Sequence, residues 1–151
     1  MTDLITLTDP RSASAEAYRA LRTNLALNRA DQPLRTLLIT SPTPAEDHAV
    51  VAANLAVAFS QLGERTLLID GDLRQPRQHQ LFGIDHRIGL TTLLAGRSAE
   101  DSIQQIPELR DLSVLPAGTE APNPQELLTR STFKAFLSDV RHKYDIILFD
   151  T

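Results

Sequence analysis

Three aspartates follow two short apolar runs and are the residues of this sequence best suited to chemistry. Asp70 and Asp72 come directly after the apolar residues 66–69, and Asp150 comes directly after residues 146–149. Carboxylates at the ends of strands can position a divalent cation, activate a hydroxyl group or cap a helix. Because the ends of parallel strands meet at one edge of a sheet, we expect these aspartates to form a carboxylate cluster.

A second candidate is the segment SPTPAEDHAV at residues 41–50, which joins an apolar run to an alanine-rich helical pattern. A turn that leads from a strand into a helix can present backbone N–H groups to phosphate. This turn contains no glycine, and the only lysines of the chain are Lys134 and Lys143. Asp47 instead brings a negative charge and is placed to cap the helix. We expect His48 to be a surface histidine, because the other histidines show no metal-ligand spacing.

The pattern of apolar residues predicts the elements that position these candidates. Apolar runs without strict alternation favour strands that are covered on both faces. They lie at residues 36–40, 66–70, 112–115 and 145–149. Helical patterns occupy residues 13–28, 47–62 and 124–143, and two short helical pieces occupy residues 90–105. Alternating strands and helices predict a parallel sheet with right-handed crossovers.

Composition narrows the classes of function. The chain has 151 residues, a formal net charge of -4 and no cysteine. The negative charge argues against nucleic-acid binding, and the lack of cysteine excludes disulfides and thiolate metal sites. No apolar run approaches about 18 residues, and the N-terminus lacks the pattern of a signal peptide. We therefore expect a cytoplasmic protein with no direct membrane insertion.

Taken in order, the motifs resemble those of the bacterial tyrosine kinases of capsular and exopolysaccharide export, relatives of the MinD and ParA ATPases. The resemblance covers essentially the whole chain. It rests on residues 16–22 (EAYRALR), 52–56 (AANLA), 70–76 (DGDLRQP), 79–83 (HQLFG), 89–90 (GL), 115–118 (LPAG), 122–124 (PNP) and 144–151 (YDIILFDT). It implies a single α/β domain over residues 1–151, with a MinD/ParA-like P-loop NTPase sheet. Residues 1–30 would form a leading helix and residues 36–151 the sheet core, incomplete at its C-terminal end.

The resemblance gives the candidate residues their roles. It implies that Asp70 and Asp72 are catalytic and that Asp150, together with Asp70, holds Mg²⁺. The phosphate loop would fall on Ala45, Asp47, His48, Ala49 and Val50, where the family has glycine, glycine, lysine and two Ser or Thr residues. The carboxylate of Asp47 would repel a bound phosphate. Two like unit charges about 4 Å apart cost about 4 kcal/mol at an effective dielectric constant near 20, which is roughly a thousandfold in affinity. We therefore expect Mg-ATP, the cofactor of the family, to bind weakly or not at all.

The resemblance also concerns assembly. Glu16, Arg19 and Arg22 match the E-x-x-R-x-x-R subunit-contact motif of the family, and we expect them to share one helix face. The alternative is a helix that packs on its own domain with both arginines solvated. Self-association is implied, as is docking on the cytoplasmic tail of a membrane polysaccharide co-polymerase, which would bring the chain to the inner face of the membrane.

These expectations lead to one function and two alternatives. The leading hypothesis is a catalytically impaired, pseudokinase-like relative that acts by protein contacts in the regulation or assembly of capsular and exopolysaccharide export. The first alternative is an active ATP-dependent tyrosine autokinase that uses Asp70, Asp72 and Asp150. A weaker alternative is a MinD/ParA-type ATPase, against which residues 16–22 and 70–76 count.

Overall fold

A five-stranded sheet flanked by helices forms the centre of the molecule. The computed structural model describes residues 3–27, 31–43, 47–97 and 102–151. The strands are β1 (Thr36–Ile39), β2 (Thr66–Asp70), β3 (Gln104–Ile106), β4 (Leu109–Leu115) and β5 (Ile146–Asp150). Their order across the sheet is β1-β5-β2-β4-β3, and all neighbours are parallel except β3, which is antiparallel to β4. The predicted α/β sheet is confirmed.

Helices cover both faces of the central strands. They are α1 (Ile5–Thr8), α2 (Ala13–Leu27), α3 (His48–Ser60), α4 (Gln78–Phe82), α5 (Leu90–Leu94), α6 (Pro124–Leu128) and α7 (Ser131–Val140). Successive side chains of β2 point to opposite faces of the sheet. Leu68 packs in the cluster around α3, whereas Leu67 and Ile69 pack in the cluster that includes α5 and α7. Every residue of β2 and β5 is buried, as the unbroken apolar runs predicted. Within the described ranges, no helix has the length and apolarity to cross a membrane.

Two features differ from the prediction. Strand β3 occupies residues 104–106, where a second helical piece was expected, because its antiparallel pairing with β4 is too short to leave a sequence period. Residues 98–101 of that piece, and the predicted helical residue Asn28, lie outside the described residues. The helix predicted over residues 124–143 is divided, since the hydroxyl of Thr129 bonds to Glu126 O and Arg130 adopts an extended backbone.

The leading segment is fastened to α3 by one buried amide. Asn54 Oδ1 accepts hydrogen bonds from the backbone N–H and the hydroxyl of Thr6, at 3.0 and 2.9 Å. Its Nδ2 donates to the backbone oxygens of Asp3 and Val50, at 2.8 and 3.0 Å. Leaving a buried amide unpaired would cost folding free energy, so breaking these bonds is unfavourable. The network therefore holds α1 against α3, the helix that begins at the candidate phosphate turn.

Gly89 and Gly118 allow the loops beside α5 to touch. Leu90 N–H donates to Pro116 O, and Thr91 N–H donates to Ala117 O, both at 2.8 Å. A Cβ atom on Gly89 would lie 2.2 Å from Pro116 O, which is far inside van der Waals contact. This close approach explains the glycine of the residue 89–90 motif.

We therefore predict that Gly89→Ala lowers the free energy of unfolding by about 1–3 kcal/mol, because the loop must move to admit the methyl group. Gly83→Ala is the control, since its Cβ would meet nothing within 4 Å and only its positive φ of 65° is strained. Thermal and urea unfolding of both variants measure the difference. Unchanged stability in Gly89→Ala would show that the loops are not in contact.

Candidate functional site

Two of the predicted aspartates lie side by side at the C-terminal edge of the sheet. Asp70 and Asp150 end the neighbouring strands β2 and β5 and are register partners. Their side chains are fully buried, whereas Asp72, two residues beyond β2, is partly exposed. The structure thus brings the three carboxylates together, and their catalytic or metal-binding role stays a prediction.

Gln78, a residue that the sequence did not single out, holds the buried pair. Its side-chain Nε2 donates to Asp150 Oδ2 at 2.8 Å and to Ala49 O in the first turn of α3 at 3.0 Å. The backbone N–H groups of Gln78 and Arg77 donate to Asp70 Oδ2, at 3.0 and 3.1 Å. One fully buried residue therefore links β2, β5 and α3. Gln78 lies eight residues after Asp70, a spacing that belongs to no motif of the sequence and so did not reveal its role.

Burial changes the acidity of both carboxyl groups. It raises the pKa of Asp70 to about 7, with the hydrogen bond from Gln78 N–H acting in the opposite direction and the charge of Asp150 adding to the rise. Burial also raises the pKa of Asp150, against the hydrogen bond from Gln78 and the nearby His48. The Oδ1 atoms of both aspartates are enclosed and have no hydrogen-bond partner among the described residues. Protonation of Asp70 near neutral pH relieves the repulsion between them.

His48, the first residue of α3, lies between two carboxylates. Its Nδ1 is 3.6 Å from Asp150 Oδ1, and its Nε2 is 3.8 Å from Asp72 Oδ2. Both separations are too long for hydrogen bonds, but a protonated imidazole would still be attracted to both acids. The side chain is 21% exposed, so the expected surface histidine is partly buried.

Asp47 closes the N-terminus of α3. Its Oδ1 accepts the N–H of Val50 at 3.3 Å, and its Oδ2 accepts a hydrogen bond from Arg77 Nη1 at 2.5 Å. The predicted cap is confirmed, and Arg77 is a partner that the sequence did not reveal. Ala45, the first predicted loop position, lies outside the described residues.

A groove of about 400 Å³ lies beside this turn. Its lining includes Ser41, Thr43, His48, Asp72 and Arg74. Asp72 Oδ1 accepts hydrogen bonds from the backbone N–H groups of Arg74 and Gln75, at 3.2 and 3.0 Å. Among the described residues, no group of three or more histidine and acidic side chains is arranged to hold a metal ion.

Among the described residues of this turn, the charges oppose the binding of a nucleoside triphosphate. An anion at the start of α3 would meet the carboxylate of Asp47, which already takes up the N–H of Val50. Arg77, the cation at that point, is already paired with the same carboxylate. His48 faces the carboxylates of Asp72 and Asp150, and Arg74 is the other cation among the described residues that line its groove.

The predicted subunit-contact residues do not share one face. Arg19 pairs with Glu16 at 2.8 Å on the outer surface of α2. Arg22 turns inward, is 9% exposed and donates to Ala58 O of α3 at 2.6 Å. The expectation of a common face is wrong for Arg22, because at about 100° per residue it lies about 120° around the helix from Glu16.

Comparison with solved structures defines the class of fold. The cell division ATPase MinD of Pyrococcus furiosus matches with a TM-score of 0.65 and 28% sequence identity, over 77% of this chain and 49% of that chain. The chain therefore has a P-loop NTPase fold of the MinD kind. No family model matches the sequence.

Closer similarity is found among bacterial tyrosine kinases. YwqD, a tyrosine-protein kinase of Bacillus subtilis, is 38% identical over 149 residues, which are 99% of this chain and 63% of the relative. The chimerical protein CapA2B2 matches with a TM-score of 0.94 and 36% identity, over 100% of this chain and 66% of that chain. The VpsO kinase domain matches with a TM-score of 0.77 and 38% identity, over 91% of this chain and 69% of that domain.

The chain belongs to the bacterial tyrosine kinase family. It spans 63% of the length of the Bacillus relative, so the match concerns a large part of such a kinase and not its whole length.

The buried aspartate pair predicts an unusual dependence of stability on pH. The pKa of Asp70 is about 7 in the folded state, above its ordinary value of 3.8, so the folded state loses stability as pH rises from about 4 to 7. Asp70→Asn keeps an oxygen for the two backbone N–H groups and removes the charge. We predict that it stabilises the domain by up to about 4 kcal/mol at pH 8, and that this gain shrinks toward zero at pH 4.

Thermal unfolding of the parent and variant between pH 4 and pH 8 measures this difference. Asp72→Asn is the matched control, because it removes the same charge from a neighbouring carboxylate that is partly exposed. A destabilising Asp70→Asn substitution at pH 8 would mean that the buried carboxylate is charged and compensated.

Proposed function

We propose that this domain does not bind Mg-ATP productively and acts by protein contacts in the regulation or assembly of capsular and exopolysaccharide export. The observation that carries the proposal is the carboxylate of Asp47 at the N-terminus of α3, held there by Val50 N–H and Arg77. In phosphate-binding loops, helix N–H groups and a lysine face the phosphates. Here an internal carboxylate takes up that position.

The charges around α3 support the same conclusion. A phosphate would have to displace Asp47 from Arg77 and then lie close to the carboxylates of Asp72 and Asp150. Ala49, where the family has a hydroxyl that reaches Mg²⁺, offers no such ligand and is buried. Asp150 and Asp70 would be the residues that hold Mg²⁺. Binding of the ion would be weak, because only two carboxylates and water would coordinate it.

An active tyrosine kinase is the second candidate, favoured by the three aspartates that remain at the sheet edge. In this chain, autophosphorylation would have to fall on Tyr18 or Tyr144, its only tyrosines. Tyr18 is half-buried against the core cluster around α3, which limits its access to a phosphate donor. Mass spectrometry after incubation with Mg-ATP distinguishes the candidates, since the proposal predicts no phosphotyrosine.

Isothermal titration with Mg-ATP and Mg-ADP tests the proposal directly. We predict no binding tighter than about the millimolar range, because the loop lacks its cation and presents a carboxylate. Saturable binding at micromolar nucleotide would refute the proposed loss of the site.

Restoring the loop should restore part of the binding. We predict that the fourfold variant Ala45→Gly, Asp47→Gly, His48→Lys and Ala49→Ser binds Mg-ADP at least about tenfold more tightly than the parent. Asp47→Gly alone should gain less, since it removes repulsion without adding a cation.

His142→Lys is the control for this series, because it adds a lysine at an exposed position away from the turn. If the fourfold variant is folded but binds no better than the parent, the loop is not the limiting defect.

We further propose that the domain is cytoplasmic, self-associates through the outer face of α2, and docks on the cytoplasmic tail of a membrane polysaccharide co-polymerase. Glu16 and Arg19 lie on this surface and can exchange partners with a neighbouring subunit. Arg22 serves the domain itself, through its buried hydrogen bond to Ala58 O.

This division predicts different effects for the two arginines. Arg19→Ala should weaken self-association in sedimentation equilibrium, as should added salt. It should lower stability less than Arg22→Ala, because the hydrogen bonds of Arg19 to Glu16 and Pro10 O are exposed. Arg22→Ala should lower the free energy of unfolding by about 1–3 kcal/mol, because it leaves a buried carbonyl unpaired. A parent protein that stays monomeric at high concentration and low salt would contradict the proposed assembly.

A further inference from the structure

A second cavity, of about 350 Å³, lies beyond the C-terminal ends of β2 and β4. Open parallel sheets bind their ligands at this edge, and the volume is in the range of small-molecule sites. Among the described residues, Arg74 alone lines both this cavity and the groove beside His48. The second cavity is therefore a separate place, and an inference about it does not depend on the proposed loss of nucleotide binding.

Two histidines stand in contact at this cavity. The rings of His79, in α4, and His86, in the following loop, are stacked with their centroids 4.3 Å apart and an interplanar angle of 29°. Burial and the neighbouring His86 lower the pKa of His79, because two imidazolium rings in contact would repel. The Nδ1 of His79 is enclosed and has no hydrogen-bond partner among the described residues. This leaves Nε2 as the ring nitrogen of His79 that is available to a ligand.

Arg74 adds a permanent positive charge to the same lining. Its side chain is exposed, and no acid in the described ranges lies within ion-pair distance of its guanidinium. Glu120 is the acid among the described lining residues, and Leu73 and Ala117 supply apolar wall. A guanidinium with two imidazoles suits an anion that accepts several hydrogen bonds, and phosphate is such an anion.

We propose that this cavity binds a dianionic phosphate group, with Arg74, His79 and His86 as its donors and the apolar wall in contact with the group that the phosphate carries. The negative phosphate compensates the positive charge of the two stacked rings when they are protonated. It thereby lowers the free energy that protonation of the pair requires. Free phosphate and a phosphate monoester share this chemistry. The volume and the apolar wall favour the monoester.

Imidazole ¹H–¹⁵N spectra and isothermal titration with inorganic phosphate and phenyl phosphate test the proposal. Both probes should shift the His79 and His86 resonances saturably and leave His142 unmoved, and phenyl phosphate should bind several-fold more tightly. Arg74→Gln and His79→Gln should each weaken binding about tenfold, the loss expected for one charged hydrogen bond. The matched controls Arg110→Gln and His142→Gln, at exposed positions elsewhere, should not change affinity.

The charge state of the rings can be tested separately with sulfate, whose charge is constant between pH 6 and pH 8. Binding should strengthen at pH 6, because burial and the contact with His86 lower the pKa of His79 and a lower pH is needed to protonate it. The other charged groups that face them are Arg74 and Glu120 in the cavity and Asp85, which is paired with Arg87 at 2.5 Å.

Several results would overturn the proposal. Equal shifts of all four histidines would indicate non-specific screening. Phenol, which lacks the phosphate, should bind more weakly than phenyl phosphate, and equal affinities of these two probes would indicate an apolar pocket only. Saturable binding of Zn²⁺ to His79 and His86, without phosphate binding, would assign the pair to a metal. Retained affinity in a folded Arg74→Gln variant would also contradict it.

Discussion

Burial of two carboxylates side by side, at the ends of β2 and β5, constrains the structure around α3. Among the described residues, no lysine ammonium or arginine guanidinium pairs with Asp70 or Asp150. Asp70 therefore depends on hydrogen bonds and protonation, and Asp150 depends on its hydrogen bond from Gln78 and on the nearby His48. Gln78 supplies the central hydrogen bonds and also binds Ala49 O, which fixes the first turn of α3 to the sheet edge. Because Gln78 is anchored there, its neighbour Arg77 is carried to the N-terminus of α3, where it meets Asp47.

Much of the fold follows from the sequence, because apolar runs and helix periods report which faces must be buried. The unbroken runs of β2 and β5 predicted strands covered on both faces, and residue type alone predicted the cap at Asp47. Strand β3 was missed because three residues carry no period. The role of Gln78 could not be predicted, since it depends on how the loop after β2 folds back over the sheet edge. Arg22 matched a contact motif, yet helix geometry turns it toward α3.

The C-terminal edge of the sheet thus carries two neighbouring places of opposite character. Beside α3, acidic side chains dominate and an internal carboxylate occupies the turn. Beyond β4, Arg74 and the stacked pair of His79 and His86 give a lining rich in donors. Each of these places depends on its own loop and not on the sheet that supports both.

The most direct test of the account is the backbone amide of Val50, which Asp47 caps. Its ¹H–¹⁵N resonance should be followed while Mg-ADP is added to the parent protein and to the fourfold loop variant. The account predicts no saturable shift in the parent up to about millimolar nucleotide and a saturable shift in the variant. A saturable shift of the Val50 amide in the parent at micromolar Mg-ADP would contradict the claim that Asp47 has replaced the phosphate at this turn.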